Sequence, residues 1–187
     1  MHKLKALCCM ILLLSPATAS ATKYAGEFMA LGGGARAMGL GGAFIAVADD
    51  ATASYWNPAG LAAFDRFAGG PGDWQTSLMH AERFGDLVDY NFVSAAFPLV
   101  PGESAWGLTF VHMGIRDIPI IPWTPGMIGN SDGDQVYEPE LGEYLNFDTQ
   151  GFPTESVNDF ALFVSYARRT SFGDAGASVK LIRNDQV

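Results

Sequence analysis

Large apolar side chains alternate with small or polar ones along several runs in the second half of the chain, and this period-two pattern is the strongest constraint on its fold. The run at 104–114 shows it most clearly, because its large side chains fall on one side and its small ones on the other: Trp106, Leu108 and Phe110 against Gly107 and Thr109. Successive side chains of a strand point to opposite faces of a sheet. The pattern therefore predicts β-strands with one strongly apolar face.

The runs predict five antiparallel strands, at 74–83, 89–99, 104–114, 158–168 and 175–183. Tight connections are predicted between them, at 84–88, 100–103 and 169–174. Phe163 departs from the alternation, because it is a large side chain on the small face of its run. The insert at 115–157 is rich in proline, glycine and acidic residues, and it predicts a long external loop.

The composition limits the surroundings in which the apolar faces of these strands can lie. Hydrophobic residues make up 49% of the chain and charged residues only 17%, although the one continuous apolar run is a short stretch at the amino terminus. Runs of about ten residues match the length of a tilted strand that crosses a bilayer. A transmembrane β-barrel turns the apolar face to lipid, whereas a soluble secreted β-sandwich buries it against a second sheet.

Residues 1–21 have the features of a signal peptide. Lys3 and Lys5 give a positive start, residues 6–14 form an apolar stretch, and Ala19-Ser20-Ala21 is a cleavage site of the small-x-small type. The apolar stretch is too short to cross a bilayer as a helix. We therefore expect the protein to be exported.

Cysteine usage and charge exclude several classes of function. Cys8 and Cys9 both lie in the predicted leader, so the mature chain has no thiol for a disulfide, a metal site or nucleophilic catalysis. The formal net charge of −9 disfavours binding to nucleic acid. We expect no cofactor.

Glycine is dense between residues 34 and 62, at Gly34, Gly39, Gly41, Gly42 and Gly60. Such a segment is neither a strand nor a simple amphipathic helix, and it suits a backbone that packs closely while it changes direction. We predict a compact plug over residues 22–72, ahead of the strands at 73–187.

The stretch GARAMGLGGAFIAVADDATASYWNPAGLA resembles the amino-terminal signature of the outer-membrane barrel superfamily that includes FadL-type transporters, and within it the PorV/PorQ branch. The resemblance continues in order through LMHAERFGDLVDYNFVSAAFPL, MGIRDIPI and FALFVSYARRTSFGDAGASVKLIR. It implies an all-β fold, an antiparallel transmembrane β-barrel of fourteen strands with an amino-terminal hatch in its lumen. It also implies the outer membrane of a Gram-negative-type cell.

The resemblance implies two alternative functions, neither of them enzymatic. FadL-type members pass hydrophobic compounds such as long-chain fatty acids, with the hatch as a gate. PorV-type members serve type IX protein secretion and receive exported cargo. The expected partners are membrane lipid and either a hydrophobic small molecule or a secreted protein. Since such a barrel needs at least about eight strands, we expect this chain to be the amino-terminal portion of a longer one.

The hatch signature implied by the resemblance comprises Gly34, Arg36, Gly39, Asp49, Asp50, Asn57, Pro58 and Ala59. Local chemistry offers its own reasons for several of them. The two aspartates fit a cap on a short helix at 51–55, or a charged latch to the barrel wall that involves Arg36. Asn57 and Pro58 fit a turn that opens a helix, because asparagine initiates turns and proline suits a first helical position.

Two further motifs are weak. Residues 32–37 fit the dinucleotide pattern G-x-G-x-x-A, but no clear strand precedes them and no convincing helix follows, so close packing is the better interpretation. Asp132, Asp134 and Glu138 have spacing that offers oxygen ligands to calcium. An EF-hand also needs flanking helices and a glycine at another position, so a solvated loop is the alternative.

The remaining candidates are rings. His80 and His112 are isolated from any nucleophile motif, so we expect them to face the lumen or the membrane interface. A set of aromatic residues has the amphipathic character of a membrane-interface girdle: Trp74, Tyr90, Trp106 and Tyr166. Burial in a core is the competing interpretation for each of them.

Overall fold

The computed structural model describes residues 26–64, 73–120, 128–129, 144–145 and 153–185. The architecture is all-β, built on one five-stranded antiparallel sheet with the order β1-β2-β3-β6-β7. The strands of this sheet are β1 (Gln75–Arg83), β2 (Val88–Val100), β3 (Ser104–Pro119), β6 (Thr154–Thr170) and β7 (Gly173–Asn184). A separate pair, β4 (Ile128–Gly129) and β5 (Tyr144–Leu145), lies within the insert.

Residues 26–64, hereafter the amino-terminal segment, lie against one face of the sheet. They contain only short helical elements, each four or five residues long: η1 (Glu27–Leu31), α1 (Ala35–Gly39), α2 (Ala53–Trp56) and η2 (Pro58–Ala62), where η denotes a 3₁₀-helix. Within the described part of the chain, no helix combines the length and the apolar character needed to cross a membrane. The predicted leader at 1–21 lies outside the described residues.

The five predicted strands are confirmed, but the predicted loop at 115–157 is wrong at both of its ends. β3 continues to Pro119, which pairs with Thr154 at the start of β6, and Ile115 pairs with Val157. The register shifts between Ile115 and Ile118, where Asp117 has a left-handed φ of 57°. Main-chain pairing continues here beyond the last residues that show apolar alternation. A prediction from side-chain pattern alone therefore makes these strands too short.

The connections define two ends of the sheet. The turn end carries the connections at 101–103 and 171–172, while the insert end carries the long insert and the turn at 84–87. One short connection therefore shares its end with the long insert. In that turn Phe84, Gly85 and Asp86 all have positive φ, between 57° and 67°.

The large apolar side chains of the alternation lie on the outward face, away from the amino-terminal segment. Trp106, Leu108 and Phe110 are 45%, 43% and 40% exposed. On the neighbouring strand, Phe160 lies 6.2 Å from Phe110 between ring centroids, and Tyr166 lies 5.1 Å from Trp106. No second sheet covers this face among the described residues.

The size of the side chains on the inward face differs between the two ends of the strands. Toward the turn end it presents small residues: Ser94, Ala96, Ala105, Gly107, Thr109, Ser165, Ala167 and Gly176. Toward the insert end it presents large ones: Tyr90, Phe92, Val111, Met113 and Phe163. The bulk of the amino-terminal segment lies over the small half, where Phe44, Leu61 and Phe64 pack with the alanines.

Phe163, the exception to the alternation, lies in the large half and is explained by the segment. It is 1% exposed, and its ring centroid lies 5.3 Å from that of Tyr55, which in turn lies 5.5 Å from Phe92. Aromatic pairs at this separation add to the stabilisation from burial. Phe163 therefore joins the sheet to the amino-terminal segment.

We predict that Phe163→Ala lowers the free energy of unfolding by about 3–5 kcal/mol, the usual result of emptying a buried aromatic site. The matched control is Phe172→Ala, since Phe172 is 101% exposed at the tip of the β6–β7 turn. Denaturant titration followed by tryptophan fluorescence measures both. Equal unfolding midpoints for the two variants would contradict the packing described here.

Candidate functional site

The candidate site is the contact between the amino-terminal segment and the inward face. At its entry the chain passes between two large rings: a Cβ at Gly33 would overlap the Phe92 ring, and the indole nitrogen of Trp56 donates to the Gly33 carbonyl over 2.8 Å. Gly34 has a φ of +88°, and a Cβ there would lie 2.8 Å from Thr52 Cγ2. Glycine is required at this position by backbone conformation and by space.

The predicted pairing of Arg36 with the aspartates is confirmed. The Arg36 guanidinium donates to Asp49 and lies 3.4 Å from Asp50 Oδ2, so it joins two parts of the same segment. The hydrogen bond that Arg36 donates to Asp49 raises the pKa of Arg36 above its ordinary value. The pair is solvent-exposed, so its contribution to stability is small.

Asp50 also organises the start of α2. Its Oδ1 accepts from the backbone N–H of Thr52 over 2.8 Å and from the Thr52 hydroxyl. The helix begins at Ala53 instead of the predicted residue 51, because this bonded turn occupies residues 50–52. Gln75 of β1 also contacts this region, because its side-chain oxygen accepts from the Ala51 N–H over 2.6 Å.

The predicted turn at Asn57 and Pro58 is confirmed. Asn57 Oδ1 accepts from the Ala59 N–H over 3.2 Å, and Pro58 is the first residue of η2. The Asn57 amide also donates to the Ile45 carbonyl over 3.0 Å. One side chain therefore shapes the turn and ties it to the preceding loop of the segment.

Two glycines of the sheet receive this turn. A Cβ at Gly176 of β7 would overlap the backbone of Pro58 and Ala59. A Cβ at Gly107 of β3 would lie 2.7 Å from both Ser54 Cβ and Leu61 Cδ1. The segment can approach the sheet this closely only because these positions have no side chain. Gly39 differs, since a Cβ there would meet nothing within 4 Å.

A chain of buried hydroxyls links the segment to four strands. Ser94 Oγ donates to the Ala51 carbonyl over 2.6 Å and lies 2.7 Å from Thr109 Oγ1. Ser54 of α2 contacts both of these hydroxyls. Ser165 donates to the Ser54 carbonyl over 3.1 Å and lies 2.7 Å from Ser178 Oγ. Buried polar groups are costly when unpaired, so this network fixes where the segment lies.

Tyr55 connects two helical elements of the segment near the insert end of the sheet. Its hydroxyl donates to the Met29 carbonyl, so α2 is joined to η1. Burial raises the pKa of Tyr55 above its ordinary value. The phenol therefore stays neutral and keeps its proton for the hydrogen bond.

Sequence reasoning missed Arg169 as a contact residue. It was assigned to a tight connection, yet its guanidinium donates to carbonyls of the β2–β3 turn and of the amino-terminal segment. The side of the sheet on which it lies follows from the register of β6, which continues through Thr170. The inward position of Phe163 was the available signal, because residues an even number apart on a strand share a face.

The predicted girdle is wrong for Tyr90, which is fully buried on the inward face beside Phe92. Tyr90 and Phe92 share this face because they are two residues apart. The rings of Trp106 and Tyr166 contact each other at a tilt of 51° on the outward face, and Trp74 is exposed just before β1.

The two histidines lie on the outward face and are joined through Asn91. His80 Nδ1 donates to Asn91 Oδ1 over 2.8 Å, and the Asn91 amide donates to His112 Nδ1 over 3.1 Å. His112 Nε2 then donates to Asn158 Oδ1 over 3.1 Å. The donor directions follow from the amide orientation of Asn91. A polar row therefore crosses β1, β2, β3 and β6.

The weaker motifs gain no site. Residues 32–37 follow a 3₁₀-helix directly and end within the five-residue α1, without the strand and long helix of a dinucleotide fold. The calcium candidates Asp132, Asp134 and Glu138 lie outside the described residues. Elsewhere, the described residues contain no group of three or more metal-binding side chains.

An open cleft of about 410 Å³ lies beside the Asn57 turn, between the amino-terminal segment and the start of β7. Its walls include Asp49, Asn57 and Asp174 together with small apolar residues. Comparison of the chain with family models, curated proteins and solved structures finds no match. The function of the chain is therefore inferred from its own sequence and geometry.

We predict that Gly176→Ala lowers the free energy of unfolding by about 1–3 kcal/mol, because the new methyl group forces the Pro58–Ala59 backbone off the sheet. Gly39→Ala is the control. It adds the same group in open space and is expected to be neutral or to stabilise by about 0.4–1 kcal/mol. Chemical denaturation measures both, and a neutral Gly176→Ala would contradict the close approach.

Proposed function

We propose that this chain forms part of an outer-membrane β-barrel and that its amino-terminal segment is the hatch in the lumen. The observation that carries the proposal is the exposed apolar face of the sheet, which lies opposite a face already covered by the segment. A soluble protein rarely leaves so large an apolar surface in water. Lipid is the environment that such a face suits.

Polar groups border the apolar face at both ends. The row from His80 to Asn158 crosses four strands toward the insert end, and the Asp89–Arg116 ion pair lies beyond it. Toward the turn end, Arg168 Nη2 lies 2.7 Å from Glu103 Oε1. An apolar band between two polar borders is typical of strands that cross a bilayer.

The height of this band fits a membrane. On β6 the outward residues between Asn158 and Arg168 are Phe160, Leu162, Val164 and Tyr166. Ten residue steps at about 3.4 Å each give about 34 Å along the strand, or about 26 Å along the membrane normal for a tilt of about 40°. Barrels of this class have an apolar band about 25 Å tall.

The sheet edges support a larger barrel. β1 and β7 each pair with one neighbour only among the described strands, which leaves one edge of each without a strand partner there. Unpaired backbone groups are too costly in hydrocarbon, so membrane strands pair on both sides. We propose that further strands pair with these edges and close the wall around the hatch.

Passage of hydrophobic compounds, as the FadL-type resemblance implies, is the function we propose for this barrel. Beside the buried cluster at the insert end lie three partly buried methionines: Met29, Met79 and Met113. Methionine is flexible and polarizable, so it adapts to apolar ligands of different shape. A PorV-like role in type IX secretion, with a protein as cargo, is the alternative that the experiments below separate from passage.

We predict that the complete barrel that contains this chain, expressed with its leader in a Gram-negative host, sediments with the outer membrane and is released by detergent. Leu108→Arg places a charge within the apolar band and is expected to cost about 2–4 kcal/mol, with loss of membrane-bound protein. Phe172→Arg is the control, because this fully exposed side chain lies at the turn tip outside the band. Wild-type protein that is soluble without detergent would contradict the proposal and favour a secreted β-sandwich.

Cargo is tested separately, with the complete barrel. Uptake of a fluorescent long-chain fatty acid that depends on the protein supports passage. Co-purification of a secreted protein domain, with no uptake defect on deletion, supports the secretion alternative instead.

A further inference from the structure

Arg169 occupies the point where three parts of the molecule meet at the turn end of the sheet. Its Nη1 donates to the Gly102 carbonyl in the β2–β3 turn over 2.6 Å. Its Nη2 donates to the Ala62 carbonyl at the end of η2 over 2.8 Å. Its Nε donates to Asp174 Oδ1 at the start of β7 over 3.1 Å. One side chain thus joins the amino-terminal segment to the β2–β3 turn and to β7.

Other contacts of η2 with the sheet are packing contacts at two glycines. Gly176 accepts the backbone of Pro58 and Ala59, and Gly107 accepts Leu61. These packing contacts bring the backbones close together but are not directional. The hydroxyl network positions α2, and Arg169 supplies a directional contact at the end of η2.

The chemistry of the guanidinium suits this task. It is planar and permanently charged, and its separate N–H groups point in fixed directions, so three acceptors on three elements define its position. Ala62 ends η2, where a helix leaves carbonyl groups without internal partners. A lysine at this position would bring one point charge and could not reproduce the three directions.

We propose that Arg169 is a positioning residue, a catch that holds the carboxyl end of the amino-terminal segment on the sheet. Loss of the catch frees η2 and the Asn57-Pro58 turn from Gly176. The strands stay paired, because the backbone of Arg169 keeps its own bonds: its N–H donates to the Glu103 carbonyl over 2.7 Å, and the residue pairs with Asp174 across the ladder. The inference goes beyond passage or secretion, since it concerns how the segment is seated.

The test uses cysteine labelling to measure how often η2, at the carboxyl end of the amino-terminal segment, leaves the sheet. Cys8 and Cys9 are the only cysteines of the chain, so both are replaced by serine and a single cysteine is introduced as Ala62→Cys. Ala62 is 2% exposed, so a maleimide reacts there only when η2 leaves the sheet. Labelling rates are compared in the full chain with Arg169, Arg169→Ala, Arg169→Lys and the control Arg168→Ala.

Arg168→Ala removes the neighbouring arginine, which faces outward, is 61% exposed and pairs with Glu103. It is expected to leave labelling unchanged. Arg169→Ala is expected to raise the rate about tenfold or more, because hydrogen bonds from a charged group are the stronger ones. Arg169→Lys is expected to raise it less. The strand signal in circular dichroism stays unchanged in each variant.

Equal labelling in Arg169→Ala and Arg168→Ala would overturn the inference. If Arg169→Ala loses the strand signal, Arg169→Lys decides: faster labelling with an intact sheet supports the catch, and unchanged labelling overturns it. The assay reads the seating of the segment and does not depend on transport. A chain that fails the membrane test can therefore still pass this one, and the reverse also holds.

Discussion

The close contact between the amino-terminal segment and the inward face is the interaction on which the rest of the structure depends. The sheet is lined by small residues where the segment is thick and by aromatic rings where it is thin. Gly107 and Gly176 bring the backbones together, and the hydroxyls of Ser54, Ser94 and Thr109 fix the position. Burial on this face leaves the other face to carry the large apolar side chains.

This division gives each face a separate role. Because the segment already covers the inward face, the outward aromatics are not needed for a core, and polar groups border them at two levels. A β-sandwich requires the opposite arrangement, with the large side chains between two sheets. The alternation in the sequence is compatible with a barrel and with a sandwich. The position of the glycine-rich segment decides which face of the sheet is covered, and the large apolar side chains lie on the other face, which supports a membrane-facing role.

The sequence predicted local structure better than it predicted long-range contacts. Alternation located all five strands, and turn chemistry located Asn57 and Pro58, because both signals arise between residues close in the chain. It missed the inward position of Tyr90, the polar row through Asn91, and the three contacts of Arg169. Alternation places these residues on a face of their own strand, but their partners depend on the register between distant strands and on which face the amino-terminal segment covers. Strand ends were also missed where backbone pairing continues without apolar alternation.

Site-directed spin labelling along β3 shows whether the outward face of the sheet contacts lipid. Labels at alternate positions read the two faces separately: Trp106, Leu108 and Phe110 outward, Ala105 and Thr109 inward. The account predicts that the outward sites are accessible to oxygen and protected from a water-soluble nickel chelate, while the inward sites are protected from both. Outward sites that are open to the nickel chelate would contradict a lipid-facing surface, and outward sites protected from both reagents would indicate a second sheet packed over them.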